Sequence, residues 1–143
     1  MYRHPNGDID HFSTALNDTI SNFKDNILAI TLGDINIDLL DDKKSNTYLN
    51  NYFAKNFIPC ITIPTRITAH SATIIDHIFV KIPPKLIQIK CSSGNLITDL
   101  SDHLPNFTFL DLKTQTSKKD PLLDSSLKTI RDYLLINSMK KHH

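Results

Sequence analysis

The chain contains no glutamate: all 15 of its acidic residues are aspartates. Chemistry that needs a glutamate as ligand or base is therefore incomplete within this sequence or relies on a substitute. Cysteine is nearly as scarce, with Cys60 and Cys91 standing alone. Neither sits in a metal-ligand spacing, so free buried thiols in a reducing compartment are expected in preference to a disulfide. No run of eighteen or more apolar residues occurs, and no basic-then-apolar leader is seen. The expectation is a soluble, intracellular chain with neither a membrane span nor a signal peptide.

What is present suits one domain of modest size, since 143 residues at 40 % hydrophobic content support a small core. The near-neutral charge averages two unlike parts. Residues 113–143 carry seven Lys and Arg against three Asp, a net charge of +4, while residues 1–112 carry nine bases against twelve acids, a net charge of −3. A basic tail on a slightly acidic body suits nucleic acid; a solvated linker is the plainer alternative.

The centre of the sequence is Ile27–Leu40, ILAITLGDINIDLL. Ile27–Leu32 is apolar or β-branched throughout, which predicts a strand covered on both faces. Gly33 breaks the run and Asp34 and Asn36 follow. On an extended backbone these two side chains point the same way and converge on one ligand, where they can bind a hard cation, activate a water or orient a phosphate oxygen. A simple turn is the alternative for the same residues.

Around that strand the periodicities predict a mixed α/β domain over residues 1–112. Met1–Gly7 is a loop. Ile9, Phe12, Leu16, Ile20 and Phe23 mark an amphipathic helix capped by Asp8. Asp42 or Ser45 caps a second helix with Tyr48, Leu49, Tyr52, Phe53 and Phe57 on its apolar face. Strands are expected at Cys60–Ile63, Thr73–Val80, Leu86–Cys91 and Phe107–Leu112, with a brief one at Leu96–Leu100; Pro64–Ser71 and Ser92–Asn95 are expected as loops. Residues 113–143 read as a basic linker followed by an amphipathic helix at Ser125–Met139.

Three polar islands interrupt hydrophobic segments: Gly33-Asp34-Ile35-Asn36, Ile75-Asp76-His77 and Ser101-Asp102-His103. Together they hold the parts for metal-assisted phosphodiester hydrolysis. Asp34 can activate a water, Asn36 can fix the water or the phosphate, and Asp102 can help hold Mg²⁺, which prefers oxygen ligands. His103 can stabilise charge on the phosphate if a carboxylate sets its tautomer, and Asp76 is the candidate for that. Packed or surface roles for His77 and His103 remain the alternative. No His-Cys or His-His spacing supports a zinc site.

The order and spelling of these islands resemble the C-terminal half of the endonuclease/exonuclease/phosphatase superfamily, in particular the endonuclease domain of non-LTR (LINE-type) retrotransposons. GDIN is similar to the family's GDFN, IDHIF to its I-D-[YH]-I-F strand, and SDHLP to its S-D-H-x-P/A signature. PTRIT, and the opening YRHPN beside the family's Y-x-P-P segment, favour the retrotransposon branch over the phosphatases. The likeness runs from Tyr2 to Leu112.

The resemblance implies part of a four-layered α/β sandwich with mixed β-sheets. It implies Mg²⁺ (or Mn²⁺) as cofactor, DNA as substrate, a reverse transcriptase domain as partner in the intact element, and access to the nucleus. Asp34 would be the base, Asn36 its positioning partner, Asp102 (with Asp34) the metal site, and His103 backed by Asp76 the phosphate contact. Tyr2 would lie on the phosphate side, and Thr65 and Arg66 in a loop near the DNA-binding face, with a structural turn as the alternative for these two. The family's upstream asparagine and metal-binding glutamate have no counterpart here, and Ile35 stands where phenylalanine is usual. The expectation is a truncated endonuclease domain; the alternative is a non-catalytic remnant or nucleic-acid-binding fragment.

Overall fold

Thr73–Val80 is rich in β-branched and aromatic residues, and the second part of this expected strand supplies the central strand. In a computed structural model, which describes residues 1–86 and 89–112, that strand is β5, Asp76–Lys81. The linker and helix expected in residues 113–143 lie outside the described residues.

The described part is mixed α/β, with two helices and small antiparallel sheets. β1 (Ala29–Asp34) and β2 (Phe57–Pro59) flank β5 antiparallel, in the order β1-β5-β2. β3 (Arg66–Ile67) pairs with β4 (Ala72–Thr73), and β6 (Lys90–Asn95) with β7 (Asn106–Asp111). No helix among the described residues is long and apolar enough to cross a membrane.

Helix α1, Ile9–Ser21, starts where expected, with the Asp8 carboxylate accepting from His11 N. It buries Leu16 and Ile20 and leaves its polar face to solvent. Helix α2, Asp42–Phe53, buries Tyr48 and Tyr52. Its cap is Asp41, one residue before the expected Asp42, because the Asp41 carboxylate reaches Lys43 N. Phe57 does not belong to this helix. Asn56 takes a left-handed conformation at φ 61°, which ends the helical run and turns Phe57 into β2.

Both helices cover one face of the central sheet. Alternation along β5 sends His77, Phe79 and Lys81 to that side, opposite Gly33, Thr31 and Ala29 of β1. Tyr52 stacks on Phe79 with ring centroids 3.9 Å apart, and Tyr48 meets both edge-on. Contacts of this kind add about 0.5–1.5 kcal/mol each beyond the area they bury.

The other face is only half covered. Leu110 of β7 packs on Cys60, Ile61, Ile74, Ile78 and Val80. Ile30 and Leu32 of β1 lie beyond that cover and are 47 % and 59 % exposed. The expected strand buried on both faces is therefore corrected: it runs Ala29–Asp34, and one of its faces is open. Its apolar sequence records a face without cover among the described residues.

The expected strand at Leu86–Cys91 and loop at Ser92–Asn95 are also corrected. Pro84–Leu86 is a 3₁₀ turn, and the polar stretch Lys90–Asn95 is the strand, zipped to β7 from Lys90↔Asp111 to Asn95↔Asn106. Composition misleads there because an edge hairpin needs only its backbone pairing. Leu96–Leu100 is irregular, and the strand expected at Cys60–Ile63 ends at Pro59. Within the expected loop Pro64–Ser71, Arg66 and Ile67 form β3.

Met1–Arg3 lies along the outer edge of β1. Met1 N donates to Leu32 O at 2.7 Å, Arg3 N to Asp34 O at 3.0 Å, and Tyr2 bridges Asp34 in parallel sense. The buried Arg3 guanidinium donates to the carbonyls of Ile35, Asn36, Pro5 and Gly7, which fastens this segment to the Asp34–Asn36 turn. Gly33 makes room for it, since a Cβ at that position would stand 1.8 Å from Met1 O. Gly33→Ala is expected to lift Met1–Arg3 off the strand and cost about 1–3 kcal/mol, read as a lower Tm on thermal denaturation.

His77 is buried as a neutral imidazole. Its Nε2 donates to Ile74 O at 3.0 Å, so Nδ1 is the acceptor for the Tyr48 hydroxyl at 2.8 Å. Burial holds its pKa below the ordinary value of 6.5, against the opposing pull of the Ile74 and Ile37 carbonyls and of Asp76 and Asp34. The unfolded chain takes up a proton there that the native chain refuses, so this contribution to stability is full above about pH 6.5 and is lost as the pH falls below it. A Tm series from about pH 7.5 to about pH 5 should decline, and His77→Leu should flatten the decline, whatever its own Tm.

Candidate active site

The register of β1 on β5 sets Asp34 directly opposite Asp76. Directly opposed residues of an antiparallel pair project to the same face, so the two carboxylates stand side by side at the end of the strands. They share the face that carries Leu32 and Ile78, away from the helices.

His103 comes to the same place from the β6–β7 connection. Its Nδ1 lies 2.9 Å from Asp76 Oδ2, and both side chains are partly buried. One ligand atom from each of Asp34, Asp76 and His103 falls within 4.8 Å of the others. The three border a groove of about 340 Å³ whose wall also includes Leu32, Ser101, Leu104 and Asn106.

The loop carrying His103 is fixed by backbone pairing. Leu104 N donates to Thr65 O at 2.7 Å, Ile67 N donates to Asp102 O at 2.9 Å, and Arg66 bridges His103. Asn95 reaches Pro64 O, and Asn106 Nδ2 donates to Asp76 O at 3.3 Å. Asp76 is thereby held from β1, from β7 and from the Thr65 loop.

Thr65 supplies the third of these holds. Its hydroxyl oxygen accepts from Ile75 N at 3.1 Å and Asp76 N at 3.0 Å, where the chain steps from β4 into β5. The residue is fully buried. Of the two expectations for Thr65, a loop near the DNA-binding face or a structural turn, the structure fits the second: its side chain is turned into the protein, and it sets the backbone of Asp76. No local signal marks this role, because a buried threonine and an exposed one read alike in sequence.

Two further expectations are corrected. Asn36 does not converge with Asp34 on one ligand. It takes a left-handed conformation at φ 54°, its amide N donates to Asp34 Oδ1, and its side-chain Nδ2 donates to Arg3 O at 2.9 Å. The alternation expected of an extended backbone stops at Asp34, and Asn36 braces the turn. Asp102 stands apart from the carboxylate pair. Its Oδ2 accepts from Arg66 Nε at 2.7 Å, and this hydrogen bond holds its carboxyl below the usual carboxylate range.

Tyr2 is held beside Asp34 by the backbone bridge, with its ring largely exposed. Arg66 is half-exposed at the rim, its guanidinium turned to Asp102. Ser101, from the Ser101-Asp102-His103 island, lines the groove, and so does Asn106, which no sequence signal marked. Compared with protein-family models, with curated proteins and with solved structures, the chain matches none.

Thr65→Val keeps the shape and removes the acceptor, leaving two buried amides unpaired. It should destabilise the domain by about 2 kcal/mol and shift the His103 ring signals in an NMR spectrum, while Thr65→Ser should do neither.

Proposed function

We propose that this chain is the C-terminal portion of an endonuclease/exonuclease/phosphatase domain of the non-LTR retrotransposon type, and that it hydrolyses phosphodiester bonds in DNA with Mg²⁺ or Mn²⁺. The observation that carries this reading is the meeting of Asp34, Asp76 and His103. They come from three islands far apart in sequence and share one solvent-facing groove.

The donor set fits a hard divalent cation. Two carboxylates standing side by side repel each other, and a cation relieves that repulsion. Mg²⁺ is commonly held by one or two carboxylates together with waters and substrate phosphate, and a neighbouring imidazole is tolerated by Mn²⁺. Asp34 and Asp76 would hold the ion, which supplies charge to offset that developing on the phosphate. With two aspartates in place, this arrangement does not depend on a glutamate from the present sequence.

The protein's own groups then divide the work. Asp34 accepts the proton of the attacking water. Asp76 fixes His103 through Nδ1, which leaves Nε2 to donate to a phosphate oxygen when the ring is protonated. Asn36 acts through the backbone, by fixing the turn that presents Asp34. Arg66 and Asp102 form a charged pair at the rim, from which Arg66 can turn to a DNA phosphate. A reverse transcriptase domain is the partner this reading implies in an intact element.

On the same reading the fold is part of a four-layered sandwich. The helix layer covers one face of the central sheet, and the β6–β7 hairpin belongs to a second sheet across the other. The exposed Ile30, Leu32 and Ile58 support it, because they are an apolar face of the kind a larger second sheet would cover.

The test is plasmid nicking with and without Mg²⁺, comparing the chain with Asp34→Ala and His103→Ala. Metal-dependent nicking that falls at least about 100-fold in both variants supports the reading. Equal nicking by all three proteins, or none by any, overturns it. Salt-sensitive DNA binding without cleavage would instead support the non-catalytic nucleic-acid-binding alternative.

A further inference from the structure

Cys60 and Cys91 are the two cysteines of the chain, and they lie far apart in sequence. The fold brings them together. Cys60 follows β2 and stays paired to the central strand, its N donating to Ile78 O at 2.8 Å. Cys91 lies in β6, opposite Leu110. Their Sγ atoms are 3.7 Å apart, and both are free thiols, Cys60 buried and Cys91 exposed.

The surroundings hold this approach from both sides. Ser93 Oγ, two residues along β6, donates to Cys60 O. Leu110, paired with Cys91 across the hairpin, packs into the cluster that contains Cys60. A disulfide bond of about 2.05 Å needs the two sulfurs to close by less than two ångströms, within reach of a side-chain rotation.

We propose that Cys60 and Cys91 form a thiol-modification site that reacts with a small-molecule disulfide, such as glutathione disulfide, and closes to an intramolecular disulfide joining the central sheet to the β6–β7 hairpin. The exposed Cys91 reacts first. Its thiolate attacks one sulfur of the reagent, forming a mixed disulfide and releasing one thiolate. The Cys60 thiol then gives its proton to solvent and attacks the Cys91 sulfur, releasing the second reagent thiolate. The two released thiolates take up the two protons lost by the cysteines. Two protein thiols are oxidised to one disulfide, and one reagent disulfide is reduced to two thiols.

Burial pushes the Cys60 thiol up to about 11, so the second step is the slower one at neutral pH and quickens as the pH rises. The bond would staple the central sheet to a hairpin whose far connection carries His103. This proposal does not rest on the endonuclease reading, since it needs only the folded pairing of β6 with the rest of the domain.

The experiment treats the full chain with glutathione disulfide in native buffer and in concentrated urea, and follows it by intact mass and free-thiol titration. The native wild type is expected to lose both thiols without retaining an adduct, at least about tenfold faster than in urea, and its Tm should rise by roughly 10 °C. Cys60→Ser should stop at one stable glutathione adduct, whereas Cys91→Ser should remain largely unmodified in native buffer. Closure no faster in native buffer than in urea overturns the proposal. So does a native wild type that keeps two adducts, or one that dimerises through disulfides.

Discussion

Two aspartates face each other across the β1–β5 pair, and this contact governs what surrounds it. Like charges directly opposite on one face of a sheet are destabilising, and the register Asp34↔Asp76 puts them there. The protein answers on one side only, with His103 against Asp76 at 2.9 Å. Asp34 has its carboxylate on the backbone N of Asn36, a weaker answer than a cation. Two carboxylates so placed favour a cation between them. The functional reading grows from this imbalance more than from any motif taken singly.

Holding two carboxylates in this position requires support away from the groove. Thr65 caps the backbone entering Asp76, Asn106 holds the Asp76 carbonyl, and Arg3 ties four carbonyls around the turn after Asp34. These are buried or half-buried polar contacts in a small domain, where each unmade hydrogen bond would cost about 1–3 kcal/mol. Their concentration around one end of one strand pair is unlike the helix side, where aromatic packing does the equivalent work. His77 marks the border between the two regimes. It is next to Asp76 in sequence, yet its ring faces the helices and is closed off by Tyr48 and the Ile74 carbonyl.

The sequence made some of this legible and hid the rest for definite reasons. The apolar spacing from Ile9 to Ile20 and the Asp8 cap are local signals, and α1 follows them. The strand expected at Thr73–Val80 is matched over its second part by β5, Asp76–Lys81. Asn36 departs from the expected alternation because its turn is braced by Arg3, more than thirty residues earlier. The second part of β6 reads as a loop because Ser92, Ser93, Gly94 and Asn95 are turn formers by composition, and only their pairing with β7 makes them a strand. Thr65 and the approach of Cys60 to Cys91 had no local signature, since both come from tertiary placement.

One dependence unites the site and the fold. The β6–β7 hairpin and its connection meet the rest of the domain through Leu110 in the apolar cluster, Ser93 and Cys91 at Cys60, Asn95 at Pro64, Asp102 and His103 at Arg66–Ile67, and Leu104 and Asn106 at Thr65 and Asp76. His103 travels with this hairpin, whereas Asp34 and Asp76 belong to the rigid strand pair. The distance that matters for any chemistry here, between a fixed carboxylate pair and the imidazole, is therefore set by how firmly the hairpin docks. A site with one part on a sheet and the other on a separate hairpin is tuned by contacts remote from its reacting atoms.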